Sequence, residues 1–207
     1  MSAKVENAPR NRRLDPELRK KTILDKTAEL IAAEGVSAVS MERIGHEAGV
    51  SKALVYTYFK NQTNLLQELL LREQRTLGDN QAIALSQASN FDELIRLTTR
   101  TYLKHVEENG LHIQRLMNEP AVAAAYLKVD QREHQMAVDL ISSEMVRNFG
   151  IPPSIAELAT ELSMGMTGAA GNLINRGAAS REKVEEINLI LLKSTMAALR
   201  DNYAKKG

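Results

Sequence analysis

The stretch SMERIGHEAGVSKALVYTYFKNQTNLL, residues 40–66, decides how this chain is read. Ser40 stands where a helix N-cap belongs, and Met41, Ile44 and Ala48 follow at the spacing of one buried helical face. Gly49 breaks that helix and Ser51 can cap the next, so two short helices meet at Ala48-Gly49-Val50-Ser51. A helix-turn-helix unit has this spacing, and its second helix enters the major groove of DNA. On a wheel of about 100° per residue, Val55 and Phe59 of the second helix point together toward a core, while Ala53, Leu54 and Thr57 point away. Tyr56 and Tyr58 fall on opposite flanks. Small and apolar tips suit base edges at a groove floor, and a phenol on each side can donate to a phosphate on either wall. The alternative, that Tyr56, Tyr58 and Phe59 are all core residues of a small helical domain, is favoured by the wheel for Phe59 alone.

Outward from this unit the chain reads as helix throughout. Upstream, Asp15 can cap and Pro16 can open a helix whose Ile23, Thr27, Leu30 and Ile31 share a face until Gly35. Downstream, Asn61 can cap a longer helix with Leu66, Leu69, Leu70 and Leu77 in a stripe. Glu73 interrupts that stripe, which brings one turn of the face to solvent, and Gly78 ends or weakens the helix. Phe91, Leu94, Ile95, Thr98, Tyr102 and Val106 predict another helix, expected to stop at Gly110, with a short segment from Leu111 to Asn118 before Pro120. Val122, Tyr126, Val129, Met136, Leu140 and Ile141 then trace a long helix closed by Gly150 and Pro152-Pro153. Ser154 caps a helix with Ile155, Leu158, Leu162, Met166, Ala169 and Leu173 in one stripe, ended by Gly177, and Ser180 caps the last. With no period-two strand pattern, the expectation is an all-α protein of about nine helices. Its divisions are a basic arm over 1–14, a helix-turn-helix domain over 15–61 and a larger domain over 62–207.

Composition narrows the function classes. Of 207 residues, 43% are hydrophobic and 26% charged, as in soluble globular proteins. The absence of cysteine removes disulfide frameworks, thiolate metal sites and cysteine nucleophiles. The first fifteen residues hold no apolar signal-peptide run and no stretch reaches the length of a membrane span, so an intracellular, cytoplasmic protein without membrane contact is expected. Residues 1–66 hold 11 Lys and Arg against 8 Asp and Glu, whereas residues 67–207 hold 16 against 18. The excess is sharpest at Lys4, Arg10, Arg12 and Arg13, a basic arm suited to nucleic acid; an ordinary solvated tail would look the same.

VSKALVYTYFKNQTNLL, preceded by SMERIGHEAG, resembles the DNA-binding domain of the tetracycline-repressor (TetR) family of one-component regulators, over residues 15–66. The resemblance implies that Ser51 and Lys52 open the recognition helix, that Ala53, Leu54 and Thr57 face bases or adjacent backbone, and that Tyr56 and Tyr58 hold phosphates. Three positions depart from the family pattern. Ala53 stands where glycine is frequent, and Leu54 can read a base only by apolar contact. Gln62 replaces a common lysine and would release no counterion at a phosphate.

The helix holding Gly165, Gly168, Ala169, Gly171 and Asn172 is rich in small residues that favour close helix contact. The last helix carries two apolar stripes, one of Val184, Ile187 and Leu191 and the other of Leu189, Leu192, Met196 and Leu199, more than one buried face needs. Either the helix is central to its own domain or one stripe meets a partner subunit. The resemblance implies a homodimer through these two helices, with Leu189, Leu192, Met196 and Leu199 as the expected contact. Tyr102, His105, His112, Asn118, Tyr126 and Met136 interrupt apolar faces and are candidates for a small-molecule effector pocket. No catalytic, cofactor or metal site is expected: the four histidines lack paired ligand spacing, and Ser180-x-x-Lys183 has no accompanying penicillin-binding motif. The function expected is a transcription regulator, more a repressor than an activator, that binds a palindromic operator as a dimer and answers to a small ligand. The rival expectations are an all-α binding protein or enzyme without DNA, and a constitutive DNA-binding protein.

Overall fold

A computed structural model describes residues 15–204, and Arg10, Arg12 and Arg13 lie outside them. The described chain is helical, with eight α-helices: α1 (Pro16–Glu34), α2 (Met41–Glu47), α3 (Lys52–Tyr58), α4 (Gln62–Gln87), α5 (Phe91–Met117), α6 (Pro120–Phe149), α7 (Pro153–Asn175) and α8 (Arg181–Tyr203). A single 3₁₀ turn, Val36–Ala38, joins α1 to α2. Two compact units result, the first ending at Leu65 and the second beginning at Leu66, within α4.

The first unit is built as its caps dictate. Asp15 accepts the Glu17 N–H at 3.1 Å and Ser40 accepts the Arg43 N–H at 3.1 Å. Ile23, Leu24, Leu30, Ile31, Met41, Ile44, Val55, Phe59 and Leu65 form its buried interior. Burying side chains such as Val55 and Phe59 is worth about 1.5–3 kcal/mol each. Thr27 is buried among them, its hydroxyl donating to the Ile23 carbonyl at 2.8 Å. Arg43 grips Glu34 with two bonds of 2.9 and 2.6 Å, tying α2 to α1.

In the second unit α5 is the central helix and packs on α6, α7 and α8. Gly110 does not end it: α5 runs on to Met117, so the expected short segment from Leu111 to Asn118 is the last part of one helix. The glycine has a packing role, since a Cβ there would come within 2.0 Å of Asn175 Oδ1 on α7. Gly78 likewise lies inside α4, which continues to Gln87. One core gathers Phe91, Met145, Ile151, Ala156 and Ala159, with Met196 and Leu199 packed against it. Another gathers Leu103, Ala170 and Val184. Gln67 Nε2 donates to the Ala121 carbonyl at 2.8 Å and Gln81 Nε2 to the Thr98 carbonyl at 3.1 Å, fastening α4 to α6 and α5.

Candidate functional site

The turn between α2 and α3 is fixed by backbone bonds. Gly49 takes a left-handed conformation, φ 66°, and donates to His46 O at 3.1 Å, while Val50 donates to Gly45 O at 2.8 Å. This pair of bonds closes a helix with a glycine just past its last turn and turns the chain sharply. Gly45 is buried at the crossing: a Cβ on it would lie 2.9 Å from Val50 O and 3.3 Å from Lys52 N. The sequence reading passed over Gly45, although a glycine in the middle of a seven-residue helix is itself a signal of close approach.

Ser51 caps α3 by accepting the Leu54 N–H at 3.2 Å. Val55 and Phe59 turn inward and are buried, and the Lys20 ammonium lies 5.9 Å from the centre of the Phe59 ring. Ser51, Lys52, Ala53, Tyr56 and Thr57 are exposed, whereas Leu54 and Tyr58 are half-buried. The two tyrosines therefore differ: Tyr56 projects into solvent, and the Tyr58 ring sits 6.4 Å from that of Phe59. Thr57 spends its hydroxyl proton on the Ala53 carbonyl at 3.1 Å, so its methyl and its oxygen lone pairs are what remain for a base edge. Lys52 pairs with Glu42 at 3.1 Å, a solvent-exposed contact that a phosphate can replace. Asn61 accepts the Asn64 N–H at 2.8 Å while Asn64 accepts the Lys60 N–H at 3.1 Å, a reciprocal cap that leaves exposed Gln62 at the start of α4. The face of α3 thus offers a cation, a phenol and small apolar tips on a rigid helix, the set needed to hold phosphates and touch bases.

Residues 23–69 match the family model of bacterial regulatory proteins described as the tetR family. The matched stretch holds the end of α1, all of α2 and α3, and the start of α4. Over it the chain is similar to helix-turn-helix regulators of that family. An uncharacterized HTH-type transcriptional regulator of Mycobacterium tuberculosis is 36% identical over 89 residues, covering 42% of this chain and 38% of that one. The HTH-type transcriptional regulator BetI of Brucella abortus is 33% identical over 78 residues, covering 38% and 39%. The alignment thus spans under two fifths of these relatives. A TetR-like transcriptional regulator from Rhodococcus sp. RHA1 shares the fold at a TM-score of 0.70 and 18% identity, over 89% of this chain and 99% of that one. Among the described residues no helix is long and apolar enough to cross a membrane.

In the second unit the structure departs from the sequence expectation in two places. The stripe expected at a partner, Leu189, Leu192, Met196 and Leu199, turns toward its own core: Leu192 is buried, Met196 and Leu199 pack on the Phe91 cluster, and Leu189 is half-buried. Gly171 is also internal, a Cβ there falling 3.2 Å from the Tyr102 ring and 3.3 Å from Val106. Of the other stripe of α8, Val184 is buried, whereas Ile187 and Leu191 face outward together with Ile190, and on α7 Leu158, Leu162 and Leu173 do so, with Leu162 75% exposed. Gly165, Ala169 and Asn172 are exposed on α7, and Gly168 is half-buried. Asn188 on α8 donates to Thr167 on α7 at 3.2 Å.

The second departure is Glu73. It does not reach solvent but is 5% exposed, as are its neighbours in burial Gln74, His105 and His112 at 6–7%. Arg72 donates to Glu73 Oε1 at 2.7 and 3.1 Å, and His112 Nε2 lies 3.7 Å from the same oxygen. Burial pushes the Glu73 carboxyl up, but His112 and Arg72 more than offset it and hold it below its ordinary value. Burial pushes the His105 imidazole down, against an opposing pull from Glu73. His105 Nδ1 sits 3.3 Å from Asn109 Nδ2. Of the other expected pocket residues, Tyr102 and Tyr126 are half-buried, while Asn118, the C-cap of α5, and Met136, 71% exposed, lie on the surface. The spacing 69, 70, 73, 74 repeats on one helix face, so Glu73 and Gln74 occupy positions that the leucines mark as buried.

Proposed function

We propose that this regulator is a cytoplasmic repressor that binds a palindromic operator as a homodimer and releases it when a small ligand binds the second unit. The arrangement of α3 carries the reading: Val55 and Phe59 anchor the helix, and Ser51, Lys52, Ala53, Tyr56 and Thr57 present its other side. The residues 15–61 serve the DNA and the residues 62–207 serve ligand and partner. The exposed apolar residues of α7 and α8 support the dimer, because Leu158, Leu162, Ile187 and Ile190 leave two adjacent helices with an apolar outer face. Two recognition helices then reach successive major grooves when they stand about 34–36 Å apart.

A ligand that binds the non-docking spacing better than the docking one lowers operator affinity, and a coupling of about 1–3 kcal/mol gives about 5–150-fold. The experiment is fluorescence anisotropy with labelled promoter fragments, first without and then with candidate ligands. Specific, salt-sensitive binding by a dimer is expected. Equal affinity for promoter and random DNA removes the operator reading. Linkage adds a second requirement, that operator DNA weaken ligand binding by the same factor.

A further inference from the structure

Gln74 is almost completely buried, yet neither its Nε2 nor its Oε1 has a hydrogen-bond partner, and His112 Nε2 has none either. A buried amide without partners is costly, and native interiors satisfy nearly all such groups. Both belong to a buried polar group of α4 and α5: His112 Nε2 is 3.7 Å from Glu73 Oε1, and Gln74, equally buried, follows Glu73 along α4. We propose that Gln74 and His112 are the recognition groups for the effector, and that the effector is a neutral molecule bearing a lactam or other cis-amide edge. This rests on the ligand-responsive reading above.

Charge and hydrogen-bonding capacity set that class. Glu73 is already neutralised by Arg72 at 2.7 Å, and burial disfavours a proton on His105, so a ligand with a net charge would enter without a counter-ion. A carboxamide with both ends open asks for a donor and an acceptor side by side, which a cis-amide edge supplies as two antiparallel N–H···O bonds. The His112 nitrogen, 3.7 Å from Glu73 and without a hydrogen bond of ordinary length, offers a third point of contact, as donor or acceptor according to its tautomer. An apolar ligand would leave all three atoms as they are and gain no specificity from them.

The test uses the full chain, labelled with nitrogen-15, and 2-piperidone as the probe, followed through the side-chain amide signals of Gln74 and the ring signals of His112. The expected result is that both sets shift saturably, that N-methyl-2-piperidone binds about tenfold or more weakly because it lacks the donor, and that Gln74→Met abolishes the effect while melting no lower than the parent. Absence of a saturable shift at tens of millimolar, equal binding of the N-methyl compound, or undiminished binding to Gln74→Met overturns the proposal. Should Gln74→Met fail to fold, the comparison of the two lactams on the parent protein decides. Operator anisotropy in the same samples separates the two readings. Lactam binding at Gln74 with unchanged operator affinity upholds the site and removes its role in release. No lactam binding, in a protein that another compound strips from its operator, overturns the lactam class alone.

Discussion

Gly45→Ala tests the geometry by which α2 and α3 are proposed to read DNA. The added methyl would sit 2.9 Å from the Val50 carbonyl oxygen, so the turn must open by about 0.5 Å to reach the 3.4 Å of ordinary contact. Overpacking of this kind costs about 1–3 kcal/mol, offset by up to about 1 kcal/mol of helix propensity gained over glycine. The displaced atoms belong to the backbone that leads into α3 and include the Val50–Gly45 bond of 2.8 Å, so the strain moves the recognition helix itself. Gly49→Ala is the matched control. It meets no atom within 4 Å but holds φ at 66°, a conformation that costs an L-residue about 1–2 kcal/mol. Both variants should lose similar stability in urea unfolding and remain almost fully folded at 25 °C, since domains of this kind have about 5–15 kcal/mol in hand. Only Gly45→Ala should then lose operator affinity, about tenfold or more if one base or phosphate contact is displaced. Equal operator affinity for the two variants, at equal folded fraction, would refute the reasoning.

Tyr56→Phe should weaken binding to all DNA sequences without changing its salt dependence, whereas Lys52→Ala should flatten the salt slope by about one contact; anisotropy across a salt series reads both. Leu162→Glu places a carboxylate at a 75% exposed position on the apolar face of α7 and should raise the dimer dissociation constant about thirtyfold or more in sedimentation equilibrium, with little change in helix content. For His105, burial lowers the folded-state value, so below its ordinary value of 6.5 the unfolded chain binds a proton that the folded chain resists. Its contribution to stability is therefore present above about pH 6.5 and lost as the pH falls below it. His105→Gln should remove that step in urea titrations between about pH 7.5 and pH 5.5, and an unchanged step would assign the acid sensitivity elsewhere.

The parts of this molecule that the sequence announces are those with local causes. Ser40, Ser51, Asn61 and Ser180 each accept a backbone N–H at the start of the helix they precede, a relation set within four residues. Val55 and Phe59 are legible for the same reason, because residues four apart along a helical turn share a face. Misreadings begin where a distant helix decides. Gly110 has the chemistry of a stop signal, but Asn175, sixty-five residues on, fills the space its missing side chain leaves, and the helix continues. The two stripes of α8 are equally apolar in sequence, and distant packing divides them: Leu192, Met196 and Leu199 turn inward, and so does Val184 of the other stripe, whose Ile187 and Leu191 stay outside. Glu73 shows the limit most clearly. A lone acid in a leucine stripe is ordinarily evidence of solvent, and what reverses the inference is Arg72 beside it and His112 across from it on α5. A polar residue at buried spacing thus makes a demand that the apolar pattern around it does not, because the apolar pattern requires only a core whereas the buried Gln74 carboxamide requires a hydrogen-bonding partner.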